Sequence, residues 1–201
     1  PQPLITLGDL LRRHERWDEA IVVYTQAIKR VGILTRRHWR MLYSRGIVLE
    51  RAKRWPEAEN DFLRALEFEP DQPYVLNYLG YSWIDQGVHL KRALDMIHNA
   101  VRHRPNDGYI IDSLGWVYYR LGNYKKAVLE LERAVQIRPE DPIINDHLGD
   151  AYWRVGRELE ARFQWQRSLS LKPDAKFDVD VRKKLKEGLP PAKPLGAPKG
   201  F

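Results

Sequence analysis

The sequence has no cysteine among its 201 residues. A disulfide scaffold, a thiolate zinc site and a cysteine nucleophile are therefore all excluded, because each needs the missing sulfur. Redox compartment stays open, since a cysteine-free chain suits cytoplasm and periplasm alike. Long apolar runs are missing too: the longest, around Ala20 to Tyr24, falls far short of the roughly 20 residues that cross a bilayer. No transmembrane span is predicted. The chain opens on Pro1 without a signal-like segment, so it reads as a trimmed piece of something longer. With 43% hydrophobic and 30% charged residues, it is large enough to bury a core without covalent staples.

The net charge of +7 invites a nucleic-acid reading, but its placement argues against one. Residues 182–201 hold six basic side chains (Arg182, Lys183, Lys184, Lys186, Lys193, Lys199) against Glu187, which accounts for +5 of the total. A phosphate-tracking groove would spread that excess over one face of the fold instead. Nucleic acid is disfavoured as a partner.

Self-comparison is more informative than any single motif. Gly46, Gly80, Gly115 and Gly149 recur every 34 or 35 residues, and Pro70, Pro105, Pro139 and Pro173 keep the same interval. Each proline is followed closely by a helix-capping acid or amide: Asp71, Asn106 with Asp107, Asp141, Asp174. Between these markers apolar residues recur at helical spacing, as in Leu76, Leu79, Gly80 and Trp83, then Ala93, Ile97 and Ala100. Two helices per unit follow, with the turn between them marked by Gly87, Gly122 and Gly156.

The fourth unit reads Leu114, Gly115, Tyr118, Gly122, Ala127, Leu131, Ala134, Pro139; the fifth reads Leu148, Gly149, Tyr152, Gly156, Ala161, Trp165, Ser168, Pro173. This pattern resembles the tetratricopeptide repeat family. The second unit (Gly46, Leu49, Ala58, Phe62, Ala65, Pro70) and the third (Leu79, Gly80, Trp83, Ala93, Ile97, Ala100, Pro105) match as well, and the first carries Leu7, Gly8, Leu11, Ala20, Tyr24 and Ala27. The resemblance implies an all-α, right-handed superhelical solenoid of five helix pairs over about 1–34, 35–70, 71–105, 106–139 and 140–173. A capping helix is predicted at 174–188, with Phe177, Val181 and Leu185 on its inner side and Lys183, Lys184 and Lys186 among its solvated residues. From 189 to 201 the Pro- and Lys-rich run reads as an extended, mobile tail.

In the family the first helix of each pair lines the concave surface, and here that face is rich in rings surplus to the packing motif: Tyr43, then Tyr74, Tyr78 and Tyr81 with Asn77, then Tyr109, Trp116 and Tyr119, then Trp153. Rigid aromatic area with a polar tip suits a binding hot spot, so these residues are read as a peptide groove. Asp112, Asp146 and Asp150 are candidates to meet a ligand's cation, and Arg120 and Arg154 a carboxylate. The Lys and Asn clamp with which some family members grip a terminal carboxylate is absent, since Tyr43, Ile47, Asn77 and Tyr81 occupy that region. An internal or apolar segment is therefore the expected ligand.

Catalysis has little support. The six histidines include no pair at metal spacing on one helix face, no glycine loop cradles phosphate, and no serine sits in a strained nucleophile turn. No metal, cofactor or catalytic residue is assigned. The run from Leu79 to Leu169, especially Ile111 to Gly122, is similar to the C-terminal repeats of bacterial envelope tetratricopeptide proteins, some of which are lipoprotein adaptors of carboxyl-terminal processing proteases. That resemblance implies a protease or its substrates as partner, at the periplasm or outer-membrane periphery. The rival reading is self-assembly, with the end around Leu4, Leu7 and Leu11 docking on another copy.

Overall fold

The computed structural model describes residues 1–172, 174–193 and 195. Among these, eleven α-helices and one 3₁₀ turn account for all regular structure: α1 (Gln2–Arg13), α2 (Trp17–Val31), α3 (Trp39–Arg51), α4 (Trp55–Phe68), α5 (Pro73–Gln86), α6 (Leu90–His103), α7 (Gly108–Arg120), α8 (Tyr124–Ile137), α9 (Pro142–Arg154), α10 (Glu158–Ser170) and α11 (Ala175–Glu187). The chain is all-α. It divides into two compact units, residues 1–79 and 80–201, with the division inside α5.

The helices begin and end for local reasons. Asp107, Asp141 and Asp174 each accept hydrogen bonds from two backbone N–H groups of the following turn, satisfying donors that have no partner within the helix. At α5, Gln72 Oε1 accepts from Tyr74 N at 3.0 Å. Gly87, Gly122 and Gly156 turn the chain with φ of 72°, 79° and 81°. The corresponding turns of the first unit use Glu15 and Lys53 at φ 57° and 64°, so two left-handed corners are made without glycine.

Packing follows a small–large–small rule. In the second helix of each pair, Ala20–Tyr24–Ala27, Ala58–Phe62–Ala65, Ala93–Ile97–Ala100, Ala127–Leu131–Ala134 and Ala161–Trp165–Ser168 are all fully buried. The large member faces the glycine of its own pair: a Cβ at Gly46 would stand 2.6 Å from the Phe62 ring, and one at Gly115 2.6 Å from Leu131 Cγ. The glycine thus lets two helix backbones approach while the bulky side chain fills the space beside them.

In the first unit α1 packs on α2, α2 on α3, and α3 on α4. In the second, α6 packs on α7, α7 on α8, α8 on α9, α9 on α10, and α11 closes against α10. Val181 is the buried anchor of α11, with Phe177 and Leu185 half-buried beside it. Leu11, read above as part of a sticky end, is in the core; Leu7 and Leu10 are the exposed leucines of α1. Pro173, Pro194 and residues 196–201, which include part of the tail, lie outside the described residues.

Candidate functional site

In the first unit the groove candidates form an aromatic cluster. Tyr43 on α3 contacts Trp39 and Phe62, with ring centroids 6.1 and 6.2 Å away, and meets Tyr78 edge-on at 6.2 Å. Tyr78 packs on Phe62 at 5.2 Å and donates its hydroxyl to Glu50 at 3.0 Å. Burial pushes the Tyr43 phenol up to about 12 and raises that of Tyr78 as well. These rings pack on each other and on the Phe62 core. Tyr74 is exposed and Asn77 half-buried on the same helix.

The second unit gathers the other candidates on α7 and α9. Trp116 lies in a stack, parallel to Tyr119 at 4.7 Å on one side and to His147 at 4.1 Å on the other. His147 Nδ1 is 2.9 Å from Asp112 Oδ1. Burial alone would lower the imidazole pKa, but the charge and hydrogen bond of Asp112, backed by Asp146 and Asp150, outweigh it and raise it. Tyr81 is half-buried, its phenol pushed up to about 12 by burial and then by Asp112 and Asp85. Tyr109 is exposed and carries the Arg138 guanidinium 4.9 Å above its ring.

Most of the charges expected to await a ligand are already engaged. Lys184 Nζ on α11 bonds Asp146 Oδ2 at 2.6 Å and Asp150 Oδ2 at 2.9 Å, and Asp150 Oδ1 also accepts from Trp165 Nε1 at 2.9 Å. Arg120 donates to the Asp85 carboxylate at 2.6 Å. Burial, then the neighbouring Asp150 charge, raise the Asp146 carboxyl to about 6 against the pull of Lys184. Asp112 thus joins α7 to α9, and Asp146 and Asp150 join α9 to α11. The separations repeat the sequence period: Asp112 to His147, Asp85 to Arg120 and Tyr119 to Arg154 are each 35 residues apart.

Arg154 is the exception that reaches outward from this lattice. Tyr119 Oη accepts from its Nε at 3.1 Å, and its Nη1 donates to Pro190 O at 2.7 Å. Tyr119, Arg120, Tyr124 and Arg154 line a cavity of about 580 Å³ whose remaining wall is Pro190 to Lys193. Trp153 borders the same region, tilted against Trp165 at 5.5 Å with the Arg162 guanidinium 5.3 Å away.

Sequence reasoning missed Lys184, His147, Asp85, Arg162 and the tail itself. For Lys184 a signal existed: it stands three residues after Val181, one helical turn along the buried face. The described tail residues have partners of their own. Residues 189–193 and 195 are non-helical, but they are bonded to α7 and α9 and do not project as a loose tail.

Helix pairs repeated at a 34–35 residue period, with glycine facing a bulky residue in each, define the class of helix-hairpin repeat proteins. Family models described as Tetratricopeptide repeat and TPR repeat match residues 5–87 and 115–156, together more than half of the chain. The chain belongs to the tetratricopeptide repeat family. Over 87 residues it is 33% identical to the TPR repeat-containing protein PA4667 of Pseudomonas aeruginosa, covering 43% of this chain and 15% of that protein. Over 119 residues it is 29% identical to the BBSome complex member BBS4 of Bos taurus, covering 59% of this chain and 21% of that protein. It therefore spans only a small part of the length of these curated relatives.

Solved structures share the fold. The thermophilic TPR protein TTC0263 of Thermus thermophilus superposes with a TM-score of 0.73 at 22% identity, covering 93% of this chain and 97% of that one. MamA 41-end from Desulfovibrio magneticus RS-1 gives 0.69 at 19%, covering 85% and 94%. YrrB gives 0.63 at 19%, covering 90% and 91%.

Proposed function

We propose that the protein is a non-catalytic interaction scaffold whose second unit binds an extended peptide segment in the trough of Tyr119, Arg120, Tyr124 and Arg154. The observation that carries this reading is the cavity of about 580 Å³, which combines two tyrosines with a guanidinium reaching outward. Its size lies within the usual range of ligand pockets, and rings with a few fixed polar groups are the usual lining. Its donors suit a backbone carbonyl better than a charged terminus, because Arg120 is already neutralised by Asp85. YrrB, which shares the fold, is described as a TPR protein with an unusual peptide-binding site, and that supports the class of ligand.

The finer reading is a bacterial adaptor for a carboxyl-terminal processing protease or its substrates, supported by the resemblance of the run from Leu79 to Leu169 alone. Self-assembly through repeat ends has weaker support, since Leu11 is buried and only Leu7 and Leu10 remain exposed on α1.

The test uses Arg154, because alanine at Trp116 or Trp153 would disturb the stacks that hold the helices. Peptides selected from a phage-displayed random library on the full chain should lose about thirty-fold in affinity on Arg154→Ala, the scale of a binding hot spot. Equal binding to both proteins, measured by fluorescence polarisation, would show that the trough is not the site.

A further inference from the structure

One wall of the trough is itself a peptide segment, and it belongs to the same chain. Gly188 ends α11 at φ 70°, which sends the backbone back toward α9. The position also demands glycine for space, since a Cβ there would overlap the Trp153 ring. Beyond it, the segment is held by its backbone at both ends: Pro190 O accepts from Arg154 Nη1 at 2.7 Å, and Leu195 N donates to Arg120 O at 2.8 Å.

Arg120 is the last residue of α7, so its carbonyl is one of those that a helix leaves without an internal partner. The Leu195 N–H satisfies it. Pro190 and Pro191 line the same cavity as Tyr119 and Tyr124. Proline-bearing segments are already extended before binding, lose little entropy on docking, and characteristically dock on tyrosine-lined grooves.

We infer that residues 189–193 and Leu195 are a built-in ligand of this trough, which a partner bearing a Pro-Pro segment followed by an aliphatic residue must displace. The inference rests on the peptide-site reading above and names the chemistry of its ligand. Two features point to such a partner. The bonds run to backbone atoms, so any segment of that shape satisfies them. The tyrosines that line the same cavity favour proline, which lacks the N–H that would otherwise be stranded beside an aromatic face.

A short tether holds its segment at an effective concentration of order millimolar. A free copy that binds an empty trough at about 50 μM should then appear at least ten-fold weaker on the intact chain.

The probe is the synthetic peptide Leu-Pro-Pro-Ala-Lys-Pro-Leu carrying a fluorophore. On a full-length variant whose residues 190–195 are exchanged for Gly and Ser it should bind saturably, and on the wild-type chain at least ten-fold more weakly. The absence of cysteine allows a second measurement on the otherwise unaltered chain, with a nitroxide on Ala192→Cys. Its spectrum should be motionally restricted and should sharpen when excess peptide is added. No binding to the Gly/Ser variant while its circular dichroism stays native, or a freely mobile label on the intact chain, overturns the inference. Library-selected peptides that still depend on Arg154 would leave the peptide site itself standing.

Discussion

Three residues before the repeat glycine, the first unit has Tyr43 and the second has Asp112 and Asp146. The same register is filled by a ring in one place and by buried carboxylates in the other. Tyr43 meets Trp39, Phe62 and Tyr78, so that part of the first unit is joined by apolar contact. Asp112 and Asp146 reach His147 and Lys184, 35 and 38 residues further along. The first unit has a buried charge as well, Asp61 held bidentately by Arg45 at 2.6 and 2.7 Å, but that pair joins α3 and α4 of one hairpin. The second unit uses its charges to join one repeat to the next. Ring packing tolerates loss of a partner by partial collapse, whereas a buried carboxylate without its cation has no such relief.

The sharpest way to break the comparison is to remove that cation. Lys184→Ala strands Asp146 and Asp150, both nearly inaccessible to solvent, and should destabilise the second unit by about 3–5 kcal/mol. Urea unfolding followed by the fluorescence of Trp153 and its neighbours checks this. A midpoint that stays where it was would mean that α11 is not held by its lysine.

The next effect is a pH dependence of the buried groups in the second unit. Asp146 has its pKa raised from an ordinary 3.8 to about 6, by burial first and the Asp150 charge second. Its folded form therefore holds a proton more tightly than its unfolded form, so its contribution favours folding below about pH 4 and is lost as pH rises through 6. His147, also raised, adds a loss in the same direction above its ordinary 6.5. Asp146→Asn should remove the decline between pH 4 and 6 while leaving the part due to His147. Urea midpoints across pH 4 to 7 that fall equally in both proteins would refute the assignment.

Most of the fold was legible because packing dictates residue type. A glycine facing a bulky residue flanked by small ones can be read from spacing alone, and Ala127, Leu131 and Ala134 are buried as that spacing implies. Glu15 and Lys53 could not be read as turns, since left-handed corners without glycine leave no compositional mark. The sequence names the candidate groove residues but not the partners they have in the fold. Hydrophobic periodicity counts apolar positions only, so a lysine on the inner face of α11 was assigned to solvent. The bonds of the described tail residues were illegible for a related reason: proline excludes helix but says nothing about what a non-helical segment meets.

The smallest effect belongs to an ion pair whose geometry is as good as that of Lys184. Arg36 grips Glu69 in the first unit through Nε at 2.6 Å and Nη2 at 3.0 Å, across 33 residues of sequence. Distance alone would rank it beside the buried lattice, but the Arg36 side chain is 78% exposed. Water and salt screen such a pair, and ordering two long side chains offsets what attraction remains. Arg36→Ala should leave the urea midpoint of the first unit unchanged within error at about 0.15 M salt. A shift comparable to that of Lys184→Ala would mean that bond geometry governs these pairs, and that the contrast between the units drawn from burial is wrong.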